Sequence, residues 1–251
     1  MLIGARQECV AGADDIAGKL AILRRFGYDF LELALSREEV QGLGPEAVAR
    51  YREMIDRTGV PILSTSLGGF TNFAAGSLKA RAAVVAEIRA LLGFTAAIGG
   101  DAILLATTEA GDDPLAYAPT YCEALLPLAD EAAALGVTFV LEHVGWYQPE
   151  RLATLVRAID HPRVRIYFDM GNCLYVGENP LEQATICAPL TAQLHIKGGP
   201  VAPLAAMPLV AVREVLAAAG FTGRGCLEIA SGPDDRPLAE ARGLLKMAGY
   251  W

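Results

Sequence analysis

The chain has 251 residues, of which 53% are hydrophobic and 20% are charged, and its formal net charge is −8. This composition allows a large buried core, and the acidic balance argues against nucleic acid and anionic membrane surfaces as partners. The five cysteines are odd in number and lack C-x-x-C spacing. They therefore indicate free thiols in a reducing compartment, for which we expect the cytoplasm. Neither a signal peptide nor a membrane-spanning segment is predicted.

The first half of the chain alternates strand-like apolar segments with segments of helical spacing. The predicted pairs of strand and helix are 2–4 with 14–26, 29–35 with 45–58, 60–67 with 78–98, and 101–108 with 119–135. Glycine directly follows each of these helices, at Gly27, Gly59, Gly99 and Gly136, which is typical of helix C-termini.

The second half repeats this pattern. Its predicted pairs are 137–144 with 149–159, 164–169 with 180–186, 190–199 with 209–219, and 223–232 with 237–248. No linker or change in composition divides the chain, so we expect residues 1–251 to form one domain. Eight strand–helix pairs in this length predict a closed (β/α)8 barrel of the α/β class. The absence of G-x-G-x-x-G and P-loop motifs argues against dinucleotide and nucleoside triphosphate sites.

The last four predicted strands each carry one residue of a type that binds metal ions. These are Glu142 in FVLEH, Asp169 in IYFDMGN, His195 in AQLHIK and Glu228 in CLEIA, each about one strand–helix pair from the next. The C-terminal ends of barrel strands meet at one mouth, so these side chains are expected to converge. Three carboxylates and an imidazole favour a divalent cation such as Mn²⁺, Mg²⁺ or Co²⁺. Taken singly, each has the alternative of an ordinary buried ion pair or a core histidine.

Two further charged residues are candidates for substrate binding. Lys197 lies two residues after His195 and faces the same way along a strand, so it either binds substrate oxygens or neutralises a carboxylate. Glu32, in the second strand, either accepts a hydrogen bond from a substrate hydroxyl or pairs with Arg6.

The residues that follow Glu142 are less clear. Strand alternation points His143 away from the mouth and into the barrel wall, unless the strand has already turned towards substrate. Trp146 and Tyr147 offer an apolar wall for a substrate ring or a contact in a homo-oligomer. The largely apolar segment 198–208 favours a lid or a subunit contact.

Four motifs, in this order along the chain, resemble those of the xylose isomerase-like barrel superfamily: LEH at Leu141, FDMGN at Phe168, LHIK at Leu194 and LEI at Leu227. The resemblance covers nearly the whole chain. It is closer to the branch of sugar isomerases and epimerases that includes ketose 3-epimerases and hydroxypyruvate isomerase. It implies a TIM barrel with one divalent ion, Mn²⁺ or else Mg²⁺ or Co²⁺. The implied ligands are Glu142, Asp169, His195 and Glu228.

The resemblance also implies a reaction on a small carbohydrate, namely isomerisation or epimerisation of a sugar, keto-sugar or polyol. Glu142 and Glu228 would act as acid and base on opposite faces of the substrate, through a cis-enediolate that the ion stabilises. Asn172 stands where many relatives have histidine, so it donates a hydrogen bond to a substrate hydroxyl but carries no proton. Gly198 likewise stands where many relatives have an acidic residue.

Other functions on the same scaffold stay open. A lyase, such as a keto-inositol dehydratase or an enzyme that cleaves C-glycosides, would share the enediolate step and then expel a leaving group. An abasic-site endonuclease is disfavoured, because that branch resembles a histidine-rich multi-metal site and this acidic chain has three histidines. A binding barrel without catalysis is disfavoured by the intact ligand set.

Overall fold

Eight parallel strands close into a barrel in sequence order, with β8 returning to pair with β1. The strands are β1 Ile3–Arg6, β2 Leu31–Leu35, β3 Ile62–Leu67, β4 Ala102–Thr107, β5 Thr138–His143, β6 Val164–Asp169, β7 Thr191–Ile196 and β8 Arg224–Leu227. The computed structural model describes residues 1–69, 71, 73, 77–107, 113–144, 148–198, 202–230 and 232–251. The predicted (β/α)8 TIM barrel is confirmed.

Helices connect the strands around the outside of the barrel. Within the described ranges they are α1 Ile16–Phe26, α2 Arg37–Gln41, α3 Pro45–Thr58, α4 Leu78–Ala97, α5 Ala118–Leu135, α6 Pro149–Ile159, α7 Asn172–Tyr175, α8 Pro180–Cys187, α9 Leu209–Ala218 and α10 Arg236–Met247. Local sequence sets many of their ends. The Asp15 side chain accepts a hydrogen bond from the Gly18 backbone before α1, and Gly27 adopts a φ of 70° after it.

The boundaries of α3, α6 and β6 agree with those predicted, and the remaining elements differ by a few residues. Two short helices, α2 and α7, were not predicted. The first begins with a capping box between Ser36 and Glu39, a signal that the S-x-x-E spacing carries. At the ends of the chain, β1 extends to Arg6 and β8 stops at Leu227. Glu228 therefore follows β8 directly, and Arg6 lies at the C-terminal end of β1.

The side chains of the strands alternate between two cores. Outward-facing residues pack against the helices in one large apolar cluster. A smaller cluster fills part of the barrel interior: Phe30, Ala102, Leu104, Val140, Tyr167 and Cys226. Because successive residues of a strand face opposite sides, this alternation decides which residues reach the mouth and which lie behind the sheet. No helix in the described part of the chain has the length and apolar character needed to cross a membrane.

Candidate metal centre

The barrel brings together the four residues that the sequence singles out. Glu142 lies in β5, Asp169 ends β6, His195 lies in β7 and Glu228 follows β8. One potential ligand atom of each lies within 4.8 Å of those of the other three. These positions are the C-terminal ends of four neighbouring parallel strands, which explains the convergence.

The imidazole of His195 is the centre of this group. Its Nδ1 lies 2.8 Å from Glu142 Oε1, 3.1 Å from Glu228 Oε2 and 3.5 Å from Asp169 Oδ2. Burial alone would lower the pKa of His195. The negative charges around the ring outweigh burial and raise this pKa well above its ordinary value. The surrounding carboxylates therefore favour the protonated form of His195, which would offset part of their charge.

Asp169 is held in a fixed orientation by the backbone. Its Oδ1 accepts hydrogen bonds from the backbone N–H groups of Gly171 and Asn172, at 2.8 and 2.9 Å. Its Oδ2 faces the cluster, 2.8 Å from Lys197 Nζ, but accepts no well-oriented hydrogen bond from the described residues. Burial would raise the pKa of Asp169, but Lys197 and His195 hold it well below its usual range. Asp169 thus directs one charged oxygen into the cluster, where Lys197 and His195 are its neighbours.

Glu142 has a different environment. Burial, together with the charges of Asp169 and Glu228, outweighs His195 and raises the pKa of Glu142 to about 7. The Asn172 amide donates to Glu142 Oε1 at 3.3 Å and to the backbone oxygen of His143 at 2.9 Å. Asn172 therefore positions Glu142 here, and its predicted hydrogen bond to a substrate hydroxyl would compete with these contacts.

Two cations border the cluster. Lys197 Nζ lies 3.2 Å from Glu228 Oε2, and Arg6 Nη1 lies 3.9 Å from the same oxygen. The sequence prediction considered Arg6 only as a partner for Glu32. The predicted β1 stopped at Gly4, so the position of Arg6 at the mouth was missed. The rule that parallel strand ends share one mouth would have found it, had β1 been extended by two residues.

The charges and donor atoms of this site fit a divalent metal ion. Four carboxylates, from Glu32, Glu142, Asp169 and Glu228, face the two cations Arg6 and Lys197. With His195 neutral, a divalent ion would balance the two remaining negative charges. Carboxylate oxygens and one imidazole nitrogen are ligands that suit Mg²⁺, Mn²⁺ or Zn²⁺.

The structure does not support the prediction that Glu32 contacts substrate. Glu32 is fully buried. Its Oε2 accepts hydrogen bonds from Ser64 Oγ and Tyr167 OH, both at 2.9 Å, and its Oε1 lies 3.1 Å from His195 Nε2. The alternative in the prediction was an ion pair with Arg6, and Arg6 Nε lies 3.7 Å from Glu32 Oε1. The reason is depth, since Glu32 is the second residue of β2 and lies below the strand ends that form the mouth.

The other two residues predicted to bind substrate are His143 and Trp146, and the structure describes only the first. His143 is fully buried, and its ring lies 6.1 Å from that of Phe168 in the core between sheet and helices. Strand alternation places His143 on the opposite face from Glu142, so the structure does not support a substrate contact here either. Trp146 lies outside the described residues, as do Tyr147 and part of the segment 198–208.

A cavity of about 630 Å³ opens above the cluster. Its lining includes Arg6, Tyr175, Lys197, Leu204 and Glu228. Glu228 is the one member of the four-residue cluster that lines it, and the others are buried beneath. The volume is suited to a small organic ligand.

The fold and this site together define a TIM barrel with a candidate metal centre at its C-terminal mouth. The sequence model of the family described as "Xylose isomerase-like TIM barrel" matches residues 20–247. The chain therefore belongs to the xylose isomerase-like TIM barrel family. A comparison with curated proteins finds no match.

Solved structures with the same fold include sugar epimerases. D-Psicose 3-epimerase from Clostridium cellulolyticum H10, solved with D-tagatose, is 17% identical with a TM-score of 0.79, over 100% of this chain and 99% of that one. The 3-keto-D-glucoside 4-epimerase YcjR from E. coli is 17% identical with a TM-score of 0.76, over 99% and 98%. The zinc-bound IolI protein is 16% identical with a TM-score of 0.76, over 99% and 96%. At these identities the comparison shows a shared fold.

Proposed function

We propose that the chain is a divalent-metal-dependent isomerase or epimerase of a small sugar, keto-sugar or polyol. The observation that carries the proposal is the convergence of Glu142, Asp169, His195 and Glu228 beneath an open cavity. Family membership and the epimerases of the same fold support it. We propose Mn²⁺ as the ion, with Mg²⁺ and Co²⁺ as alternatives.

The two glutamates are the proposed catalytic residues. A divalent ion in this cluster would supply the Lewis acidity that lowers the pKa of a C–H group beside a carbonyl. Glu142 and Glu228 both lie close to His195 Nδ1, at 2.8 and 3.1 Å, and come from β5 and the end of β8. We propose that one carboxylate removes the substrate proton and the other returns one from the opposite face. Inversion or isomerisation then depends on which carbon receives it.

Three residues are proposed to bind substrate. Lys197 lines the cavity and contacts two of the carboxylates, so its ammonium group is well placed for a substrate oxygen. Asn172 would orient Glu142 and share its amide with a substrate hydroxyl. Trp146 is proposed from the sequence alone.

The charge balance of the site favours an uncharged carbohydrate. Arg6 and Lys197 are the basic residues that line the mouth cavity, and both already face carboxylates. The residues outside the described ranges contain no lysine, arginine or histidine. A phosphate group would therefore find no unpaired cation among the residues that line the cavity and no basic residue among those outside the described ranges, which supports an unphosphorylated substrate.

Proton exchange with solvent tests this function directly. The chelator-treated protein is reloaded with Mn²⁺ and incubated with ketoses and keto-sugars in D₂O. We expect deuterium at the carbon beside the carbonyl, and we expect Glu142→Gln to lower the exchange rate by about 10²–10⁴-fold. Glu131→Gln, which changes an exposed carboxylate on α5, is the control and should retain the full rate.

The mass of the product separates the alternatives. An unchanged mass with deuterium incorporation supports an isomerase or epimerase, whereas loss of water or an aglycone identifies a lyase. Failure of every candidate substrate to exchange would contradict the proposed proton transfer.

Location and assembly are also proposals. All five cysteines are free, which fits a reducing compartment such as the cytoplasm. We propose a homo-oligomer without nucleic acid or membrane partners, on the basis of the sequence.

A further inference from the structure

Glu32 is a buried carboxylate that the proposed reaction does not use. It has no solvent exposure, yet it sits directly below the candidate metal centre. Such a charge is costly unless its oxygens are fully engaged. Ser64 Oγ and Tyr167 OH both donate to Oε2, and Oε1 lies 3.1 Å from His195 Nε2. The third contact links this carboxylate to the candidate ligand set.

The two nitrogens of His195 therefore face two different groups. Nε2 faces Glu32, while Nδ1 faces the carboxylates of Glu142, Asp169 and Glu228. A neutral imidazole carries one N–H and one lone pair, and it binds a metal ion through the lone pair. If Nε2–H donates to Glu32, the lone pair of Nδ1 is left pointing into the cluster.

The surroundings of Glu32 hold this arrangement in place. The ring of Tyr167 packs on the ring of His195, with 3.9 Å between centroids and 35° between planes. The Tyr167 hydroxyl reaches past the imidazole to Glu32. Gln193 Nε2 donates to Ser64 Oγ at 3.2 Å, so the serine is itself supported. Strands β2, β3, β6 and β7 thus each contribute to one hydrogen-bonded group.

We propose that Glu32 is a positioning residue for His195, which accepts the Nε2–H hydrogen bond and thereby presents Nδ1 to a divalent ion. This inference rests on the proposed metal-dependent function and deepens it. Carboxylates that orient a metal-binding histidine in this way typically change metal affinity by about 10–100-fold. We expect a change in metal affinity of the same size when Glu32 loses its charge.

A second cation is the competing interpretation of these contacts. Glu32, His195 and Cys226 also offer ligand atoms within 4.8 Å of one another. However, two hydroxyl donors already occupy Glu32 Oε2, and Oε1 faces the imidazole. The geometry favours a carboxylate that receives hydrogen bonds over one that binds an ion.

Metal binding, measured separately from catalysis, tests the proposal. Co²⁺ is titrated into metal-free protein and followed by its visible absorption spectrum, and Mn²⁺ affinity is obtained by competition. We expect one ion per chain. Glu32→Gln preserves the side-chain volume but removes the charge, so it should raise the Co²⁺ dissociation constant by about 10–100-fold and alter the spectrum.

The matched control is Thr65→Val. Thr65 follows Ser64 on β3 and is equally buried, but its hydroxyl lies 2.7 Å from that of Thr95 on α4, outside the barrel. This change removes a buried hydrogen bond without touching Glu32 or His195. We expect Co²⁺ affinity within about twofold of the unmodified chain and an unchanged spectrum.

Tyr167→Phe provides a milder variant that keeps the ring on His195. It removes one of the two hydroxyl donors to Glu32, and we expect a loss of Co²⁺ affinity of a few-fold, smaller than that of Glu32→Gln. If Glu32→Gln does not fold, this variant decides the matter, because affinity and spectrum equal to those of Thr65→Val would contradict the proposal.

The remaining outcomes are distinct. Unchanged affinity and spectrum in Glu32→Gln would overturn the positioning role while leaving the proposed function intact. Two ions per chain, with one lost in Cys226→Ala, would overturn it in favour of Glu32 as a ligand. An unmodified chain that binds no divalent ion would overturn the proposed function and this inference together.

Discussion

The two ends of the barrel differ in how their charges are partnered. At the C-terminal mouth, three carboxylates crowd around His195, and Arg6 and Lys197 border them. The N-terminal end also has a cavity, of about 490 Å³, lined in part by Asp101, Arg163 and Arg224. Cavity volume therefore does not distinguish the two ends, but charge does.

At the N-terminal end, each of the three charged side chains named above has its own partner. Arg224 pairs with Asp101, and Arg163 donates to the Gly136 carbonyl and the Thr138 hydroxyl. At the mouth, by contrast, several buried carboxylates share too few cations. Both groups of candidate metal ligands found among the described residues include His195. A surplus of like charge that cannot be relieved locally is the physical mark of a site that accepts a cation.

The largest expected effect on metal affinity comes from Asp169→Asn. Asparagine keeps the shape of the side chain, but it removes the negative charge of the carboxylate, whose Oδ2 atom faces the cluster. We expect the Mn²⁺ dissociation constant to rise by more than about 100-fold. This exceeds the change in affinity that is typical when a residue hydrogen-bonded to a metal ligand is replaced. Isothermal titration with the metal-free protein measures it. Binding within tenfold of the unmodified chain would remove Asp169 from the ligand set.

His143→Met sharpens the contrast between the two faces of β5. Burial lowers the pKa of His143 to about 4, whereas an unfolded histidine titrates near 6.5. Between these values the unfolded chain binds more protons, so stability is lost as the pH falls from about 6.5 to 4, by about 3 kcal/mol in total.

Denaturant unfolding of the metal-free protein at several pH values measures this loss. In His143→Met, the change in unfolding free energy between pH 6.5 and 4 should be smaller by about that amount. An unchanged pH dependence would show that the pKa of His143 is not lowered in the folded chain.

The smallest effect is expected at the opposite end, in Asp101→Asn. Asp101 is 55% exposed, so its ion pair with Arg224 is screened by solvent. We expect the free energy of unfolding to fall by less than about 1 kcal/mol and Mn²⁺ affinity to stay unchanged. A tenfold loss of metal affinity would show that the two ends are coupled, and would break the distinction drawn between them.

Much of the fold was predictable because it follows from short-range patterns. Apolar runs, helical spacing and glycine stops located all eight strands and their main helices. The helix α7 was missed: Asp169 accepts hydrogen bonds from the backbone N–H groups of Gly171 and Asn172 at its start, and these contacts were not predicted from the sequence. The short helix α2 was missed for lack of length, although its capping box was present in the sequence.

The sequence by itself determined the eight-fold alternation and the order of Glu142, Asp169, His195 and Glu228 along it. Parallel strand ends share one mouth, so their convergence followed from topology. Only the tertiary structure decided how deep each side chain lies in the barrel and which way it faces, because a strand's register in the closed barrel depends on all its neighbours. It placed Glu32 below His195 instead of beside a substrate, and it directed the Asn172 amide to Glu142.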